Sequence, residues 1–171
     1  MGGLSFFWIL EGNFSLFRFK YKKWKHALPN LFFTLTTVLI NFVLAFLLLN
    51  TSDWVVSNQF GVLHWIVELP LWAEVVLGVL LLDLIGAYAP HWVEHKVKPL
   101  WMIHLVHHSD HHVDTTTANR HHPLESFIRF GFTLLGVFLV GANIGIIMLY
   151  QSLSLIATQF THANIKLPKK V

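Results

Sequence analysis

Apolar residues in this chain gather into long blocks and seldom alternate with polar ones. Leu31 to Asn50 is a nearly unbroken apolar run, with Asn41 as its one strongly polar interior position. Its length of about 20 residues covers a ~30 Å hydrocarbon core, so the run predicts a spanning helix. Thr51 to Glu68 reads as an interfacial linker, with Trp54 and Trp65 at headgroup level. Asp53 and Glu68, without any Lys or Arg, mark that linker as the non-cytoplasmic side. Pro70 to Ala89 predicts a second span, carrying Glu74 near its outer end and Asp83 towards its inner end. Snorkelling accounts for Glu74, close to Trp72. Asp83 is deeper, where a carboxylate is costly and points to function. It precedes His91 by eight residues, and a role in orienting a neighbouring group is favoured.

A polar, histidine-rich section follows. Pro90 and Pro99 are expected to bracket its first helical piece, since proline starts helices readily and breaks their interiors. Phe127 to Phe160 is the last apolar stretch. As one helix it would run about 50 Å, too long for a single crossing without strong tilt. Gly141, Asn143 and Gly145 offer a break, so two short helices in a hairpin are predicted. A hairpin also returns His162 to the side that His122 left. The expected fold is all-α and membrane-integral: two spans plus a helical hairpin, topped by a cytosolic histidine-rich helical cap. Residues 1–28 form a basic cytosolic segment and residues 29–171 one membrane domain.

Composition supports this class. Of 171 residues, 54% are hydrophobic and 12% charged, against roughly 25% charged in a soluble domain. The sequence pI is near 9.3, yet the basic residues do not spread over a domain face. Arg18, Lys20, Lys22, Lys23 and Lys25 precede the first apolar block, and Lys166, Lys169 and Lys170 close the chain. That pattern fits cytoplasmic anchoring and not a nucleic-acid footprint. The absence of cysteine excludes a disulfide framework, an in-chain Fe–S cluster and a thiolate-ligated haem. No secretory signal is expected, because the first apolar run starts late and lacks a small-residue cleavage site. Phe6 stands where a myristoylation signal needs Ser or Thr.

Nine of the twelve histidines fall between His91 and His122. His91 and His95 stand one turn apart directly after the second span. His104, His107 and His108 offer i+3 and i+4 partners on a second piece, and His111, His112, His121 and His122 follow. A lone histidine on an apolar face is usually a core residue; this many, so spaced at a membrane edge, point to metal. Imidazole suits Zn, Cu, Fe and Ni, so ligand type alone does not name the ion. A surplus of histidines without thiolate implies two ions, or one ion with generous outer support. Asp110, Asp114 and Glu125 are candidates to orient imidazole N–H groups; Glu94 is equally readable as a solvated charge. His26 and His64 lie far from the cluster in sequence and are taken as bystanders.

The order His91-x3-His95, His104-x2-His107-His108, Ser109-Asp110, Asp114, Thr116-Thr117, Arg120, His122-Pro123-Leu124-Glu125 resembles the fatty acid hydroxylase/sterol desaturase superfamily. The approach Asp83…Tyr88…His91 and the downstream Thr161-His162-Ala163-Asn164-Ile165-Lys166-Leu167-Pro168 resemble it too. The likeness covers about half the chain. It implies a membrane enzyme whose histidine boxes hold a non-haem diiron centre on the cytoplasmic side. Such an enzyme uses O2 and external electrons to hydroxylate or desaturate a fatty acyl or sterol-like lipid. By that resemblance His91, His95, His104, His107, His108, His122 and His162 are iron ligands. Ferredoxin-like or cytochrome b5-like carriers are the implied electron donors, and the lipid would slide between the spans towards His91.

Three departures stand out. Trp92 occupies a position where the family often has Arg, with little expected consequence for the metal. His111, His112 and His121 match no fixed histidine of the family, so ligand status is not carried to them. The family's last box, His-x2-His-His, should follow Pro168, but the sequence ends at Val171. Truncation is the expectation, and such a piece would bind iron weakly and catalyse nothing. Two rival classes need naming. A transporter or buffer of divalent metal would place its ligands within the spans. A membrane zinc hydrolase would show His-Glu-x-x-His, whereas His91-x2-Glu94-His95 reverses that order.

Overall fold

The computed structural model describes residues 2–167. Pro168, Lys169 and Lys170, which belong to the downstream motif and the basic pattern above, lie outside the described residues. The chain folds as α1 (Gly2–Asn13), α2 (Lys23–Ser57), α3 (Val62–Trp65), α4 (Leu71–Asp83), a π-helical turn (Leu84–Tyr88), α5 (Ala89–Lys96), α6 (Lys98–His108), a 3₁₀ turn (Thr115–Asn119), α7 (Pro123–Val140) and α8 (Ile144–His162). Four of these helical stretches are long and apolar enough to cross a membrane, as the block pattern predicts.

The first span outgrows its apolar run at both ends, because polar residues near the outer end bond back into the helix. Asn50 Nδ2 donates to the Phe46 carbonyl at 2.7 Å and Thr51 Oγ1 to the Leu47 carbonyl at 2.9 Å. The outer linker is therefore shorter than the hydropathy pattern implies.

The second span also differs from expectation. α4, the π-helical turn and α5 form one continuous stretch from Leu71 to Lys96. Pro90 sits at the start of α5 inside that stretch and does not bracket a separate helix. A proline removes a backbone donor and crowds the carbonyl four residues back. That residue is Gly86, within the wider π-helical turn, where the ladder has already shifted register. Pro99, by contrast, opens α6 as expected.

Gly141 ends α7 in the left-handed conformation, with φ 76°. Asn143 then caps α8, its side chain accepting from the Ile146 N–H at 3.1 Å. The hairpin break falls where the sequence placed it, but its arms of 18 and 19 residues are full spanning length and not short. A small core forms where the spans meet: Leu48, Leu63, Leu82, Val137, Val140, Ala142, Ile146, Ile147 and Tyr150. Glycines let the helices close together, Gly78 against Ile146 and Gly136 against Leu82 and Ile85. The rest of α2 turns outward, with Phe42, Val43 and Phe46 exposed, as a lipid-facing helix requires.

The N-terminal segment carries a helix that the hydropathy pattern does not reveal. α1 packs against α8 and the 3₁₀ turn. Glu11 is buried, and its Oε1 accepts the backbone N–H groups of Thr115 at 2.7 Å and Asn164 at 2.9 Å. An isolated bridge joins Ser15 to Ile165.

At the opposite end, Gly61 (φ 110°) abuts the α7–α8 turn, and a Cβ there would lie 2.4 Å from the Gly141 nitrogen. The Gly61→Ala variant is expected to lose stability by about 1–3 kcal/mol from backbone strain alone, with the clash adding to it. A thermal midpoint in detergent equal to wild type would contradict that contact.

Candidate metal centre

Each histidine box rides on a different helix, and the polar ends of α5, α6 and α8 bring them together. His91 and His95 share one face of α5 at i and i+4; His104 and His108 do the same on α6. Their Nε2 atoms converge: His95 on His91 at 3.0 Å, His108 on His95 at 3.3 Å, and His108 on His104 at 3.2 Å. All four ligand atoms lie within 4.8 Å of one another. Trp101 walls the group, its ring centroid 5.1 Å from His95 and 5.3 Å from His108. His104 is buried, while His91, His95 and His108 are exposed, so the cluster opens to one side.

A second pair stands beside the first group. His107 Nε2 lies 3.1 Å from His162 Nε2, so α8 does return to the histidines as the hairpin reading requires. Burial, with the nearby His121, His162 and His104 rings, pushes the pKa of His107 down to about 2. His108 is also lowered, by burial and then by His104 and His95. Both rings are therefore neutral at ordinary pH, the form that binds metal.

Buried carboxylates orient these rings. Glu125 Oε1 takes His104 Nδ1 at 2.9 Å, His121 Nδ1 at 2.7 Å and Arg129 Nε at 2.9 Å. Arg129 Nη2 donates to Glu94 Oε2 at 2.7 Å, and that oxygen lies 3.6 Å from His104 Nδ1. An Nδ1–H held by a carboxylate leaves the Nε2 lone pair free to ligate, a carboxylate–histidine support common at metal sites. His104, His121 and Glu125 are also close enough to be read as a three-ligand metal site. The hydrogen-bond reading is better: both imidazoles direct Nδ1 at a single oxygen, and His121 Nε2 is taken by the Ala118 carbonyl at 3.1 Å.

The donor set fits a metal that favours imidazole. Four Nε2 atoms linked by three contacts of 3.0, 3.3 and 3.2 Å would be well satisfied by a cation between them. His107 adds a buried Nδ1 without a hydrogen-bond partner.

Other candidates are placed elsewhere. His122 caps α7, its Nδ1 accepting from the Leu124 N–H at 3.2 Å, and among the described residues it makes no ring contact with the cluster. His121, to which the motif gave no role, stacks on His107 with centroids 5.1 Å apart. Asp83 is exposed on α4 and pairs with no histidine among the described residues. Asp110 and Asp114 support a different ring from those expected. His26, read as a bystander, sets Nε2 2.8 Å from Asp110 Oδ1 and Nδ1 3.2 Å from Asp114 Oδ2. Tyr21 donates to Asp114 at 2.9 Å, and burial plus that bond raise the Tyr21 pKa. Burial alone would raise Asp110, but hydrogen bonds from Thr117, His26 and the His112 N–H bring it down to about 2. Arg120 joins the clamp through Asn30 Oδ1 at 3.0 Å and the Val106 carbonyl at 2.9 Å. The clamp thus fastens the loop between His108 and His121 onto α2. His64 remains apart, its ring against Gly141 at the far end.

Arg129 was the main residue missed, and Glu94, left open between ring support and a solvated charge, is buried. Arg129 carries a charge inside an apolar block, four residues after Glu125, and both signals were available in the sequence.

Apolar helices closing beneath a group of converging imidazoles define a membrane protein with a histidine-built site. Within that class, the fatty acid hydroxylase family model matches residues 75–171, more than half of the chain, and the chain belongs to that family. No curated protein and no solved structure matches it. The chain is a membrane member of a lipid hydroxylase and desaturase family.

Two tests follow from this geometry. The unfolded His107 ring binds a proton near its ordinary 6.5, while the native ring refuses it down to about 2. This contribution to stability is present above pH 6.5 and lost as pH falls below it. The thermal midpoint should drop from pH 7 to 5, less steeply in His107→Gln; identical slopes would refute the assignment. The His26→Ala variant leaves Asp110 and Asp114 without their shared partner. It should cost about 1–3 kcal/mol in detergent unfolding, and an unchanged midpoint would remove the clamp from the account.

Proposed function

We propose that this chain is a membrane-bound non-haem diiron oxidoreductase that hydroxylates or desaturates a lipid in an O2-dependent reaction. The observation that carries this reading is the convergence of four Nε2 atoms from His91, His95, His104 and His108. Family membership supplies the reaction class. His107 and His162 are the ligands proposed for a second ion. His122, engaged as a helix cap, is the weakest of the proposed set.

The metal pair would supply the oxidising power needed to remove hydrogen from an unactivated C–H bond. The chain's own residues do the positioning. Glu125 and Glu94, both paired with Arg129, hold His104 in the tautomer that aims Nε2 at the centre. The exposed side of His91, His95 and His108 is where a lipid carbon would approach. Trp101 limits water beside two of those rings. With no cysteine in the chain, electrons would come from a ferredoxin-like or cytochrome b5-like donor. The basic residues around Lys20 to Lys25 support a cytoplasmic side for the N-terminus and the histidines.

Elemental analysis of the purified full-length protein tests the reading: two irons per chain are expected, whereas one zinc would favour a hydrolase. The His108→Ala variant should lose bound iron and lipid product. Glu125→Gln should weaken metal binding about 10–100-fold. Full iron content in His108→Ala would overturn the ligand assignment.

A further inference from the structure

A cleft of about 280 Å³ opens between α1 and the start of α2, lined by Leu4, Ser5, Trp8, Ile9, Trp24 and Leu31. It plays no part in the histidine site. Trp24 and Leu31 are one face of α2, seven residues apart, with the exposed Leu28 between them. Leu31 also begins the apolar run of the first span, so the cleft sits where that span leaves the hydrocarbon. Two tryptophans at that depth match an interfacial belt.

The walls are braced. Trp8 and Trp24 rings meet at 5.6 Å. Lys23 Nζ lies 4.4 Å over the Trp8 ring, bonds the Trp8 carbonyl at 3.2 Å and pairs with Glu11 at 3.0 Å. Lys23 is thus committed to the fold. Arg18, Lys20, Lys22 and Lys25 are all exposed, and none has an ion-pair partner among the described residues. An apolar slot at headgroup depth, with the exposed Lys22 and Lys25 flanking its lining residue Trp24 in the chain, is complementary to a molecule with an apolar tail and an anionic head.

We propose that this cleft binds an anionic glycerophospholipid, one acyl chain lying along Trp8, Trp24 and Leu31 and the phosphate meeting Lys22 and Lys25. The lipid seats α1 in the membrane surface. Through Glu11, α1 also holds the backbone of Thr115 and Asn164, so the bound lipid steadies the polar end of the molecule. The site is independent of any metal, and its failure would leave the proposed oxidoreductase reading untouched.

The full chain, placed in phosphatidylcholine nanodiscs, provides the test. Brominated phosphatidylglycerol or brominated phosphatidylcholine is added at equal mole fraction, and tryptophan emission is recorded. Phosphatidylglycerol should quench more strongly, and the excess should vanish in a Trp8→Phe/Trp24→Phe variant. Lys22→Gln/Lys25→Gln should cut the preference for the anionic lipid by roughly an order of magnitude or more, at about fivefold per cation. These lysines are solvent-exposed, so that variant keeps the fold, which circular dichroism verifies. Equal quenching by the two lipids overturns the proposal. So does excess quenching that survives loss of Trp8 and Trp24, or a preference unchanged without the two lysines.

Discussion

Glu94 and Glu125 are almost wholly buried at the polar end of an otherwise apolar bundle, and a buried carboxylate is tolerable only where a counter-charge reaches it. Arg129 reaches both. Breaking such a pair by removing one partner costs about 3–5 kcal/mol, because the other charge stays buried and uncompensated. The geometry gives this interaction its reach. Glu94 comes from α5, His104 from α6, and Glu125 with Arg129 from α7, so one guanidinium locks three helices in a single arrangement. The convergence of the histidines depends on that lock.

A second polar grip acts from the other side. The loop between His108 and His121 carries Asp110 and Asp114, and His26 of α2 bridges both carboxylates. Glu11 of α1 fastens the adjacent 3₁₀ turn and the residues after α8. Residues before the matched family region therefore hold the loop that links its histidine boxes. An apolar bundle offers little to fix such a loop, since its sides pack equally well against lipid. Buried hydrogen bonds have directions and single partners, and they set the position here.

Much of the fold was legible because it follows from solvent alone. Blocks such as Leu31 to Asn50 must hide backbone polar groups inside helices wherever lipid surrounds them. The break at Gly141 and Asn143 was equally plain, since a left-handed residue followed by a capping side chain ends one helix and starts the next. Pro90 shows the limit of that local logic. Proline's effect depends on the carbonyl four residues back, and the π-helical turn over Leu84 to Tyr88 relieves it.

The sequence by itself determined the class of protein, the number of apolar helices and the chemistry of its polar end, since each follows from residue type and short-range spacing. Helical periodicity sufficed to pair His91 with His95 and His104 with His108. Only tertiary structure decided which imidazoles share a centre, placing His162 beside His107 and leaving His122 as a cap. It also gave Asp110 and Asp114 to His26, 84 and 88 residues away. Spacing along one helix fixes which side chains share a face. Contacts between distant helices depend on how those helices pack, and no local pattern in the chain carries that information.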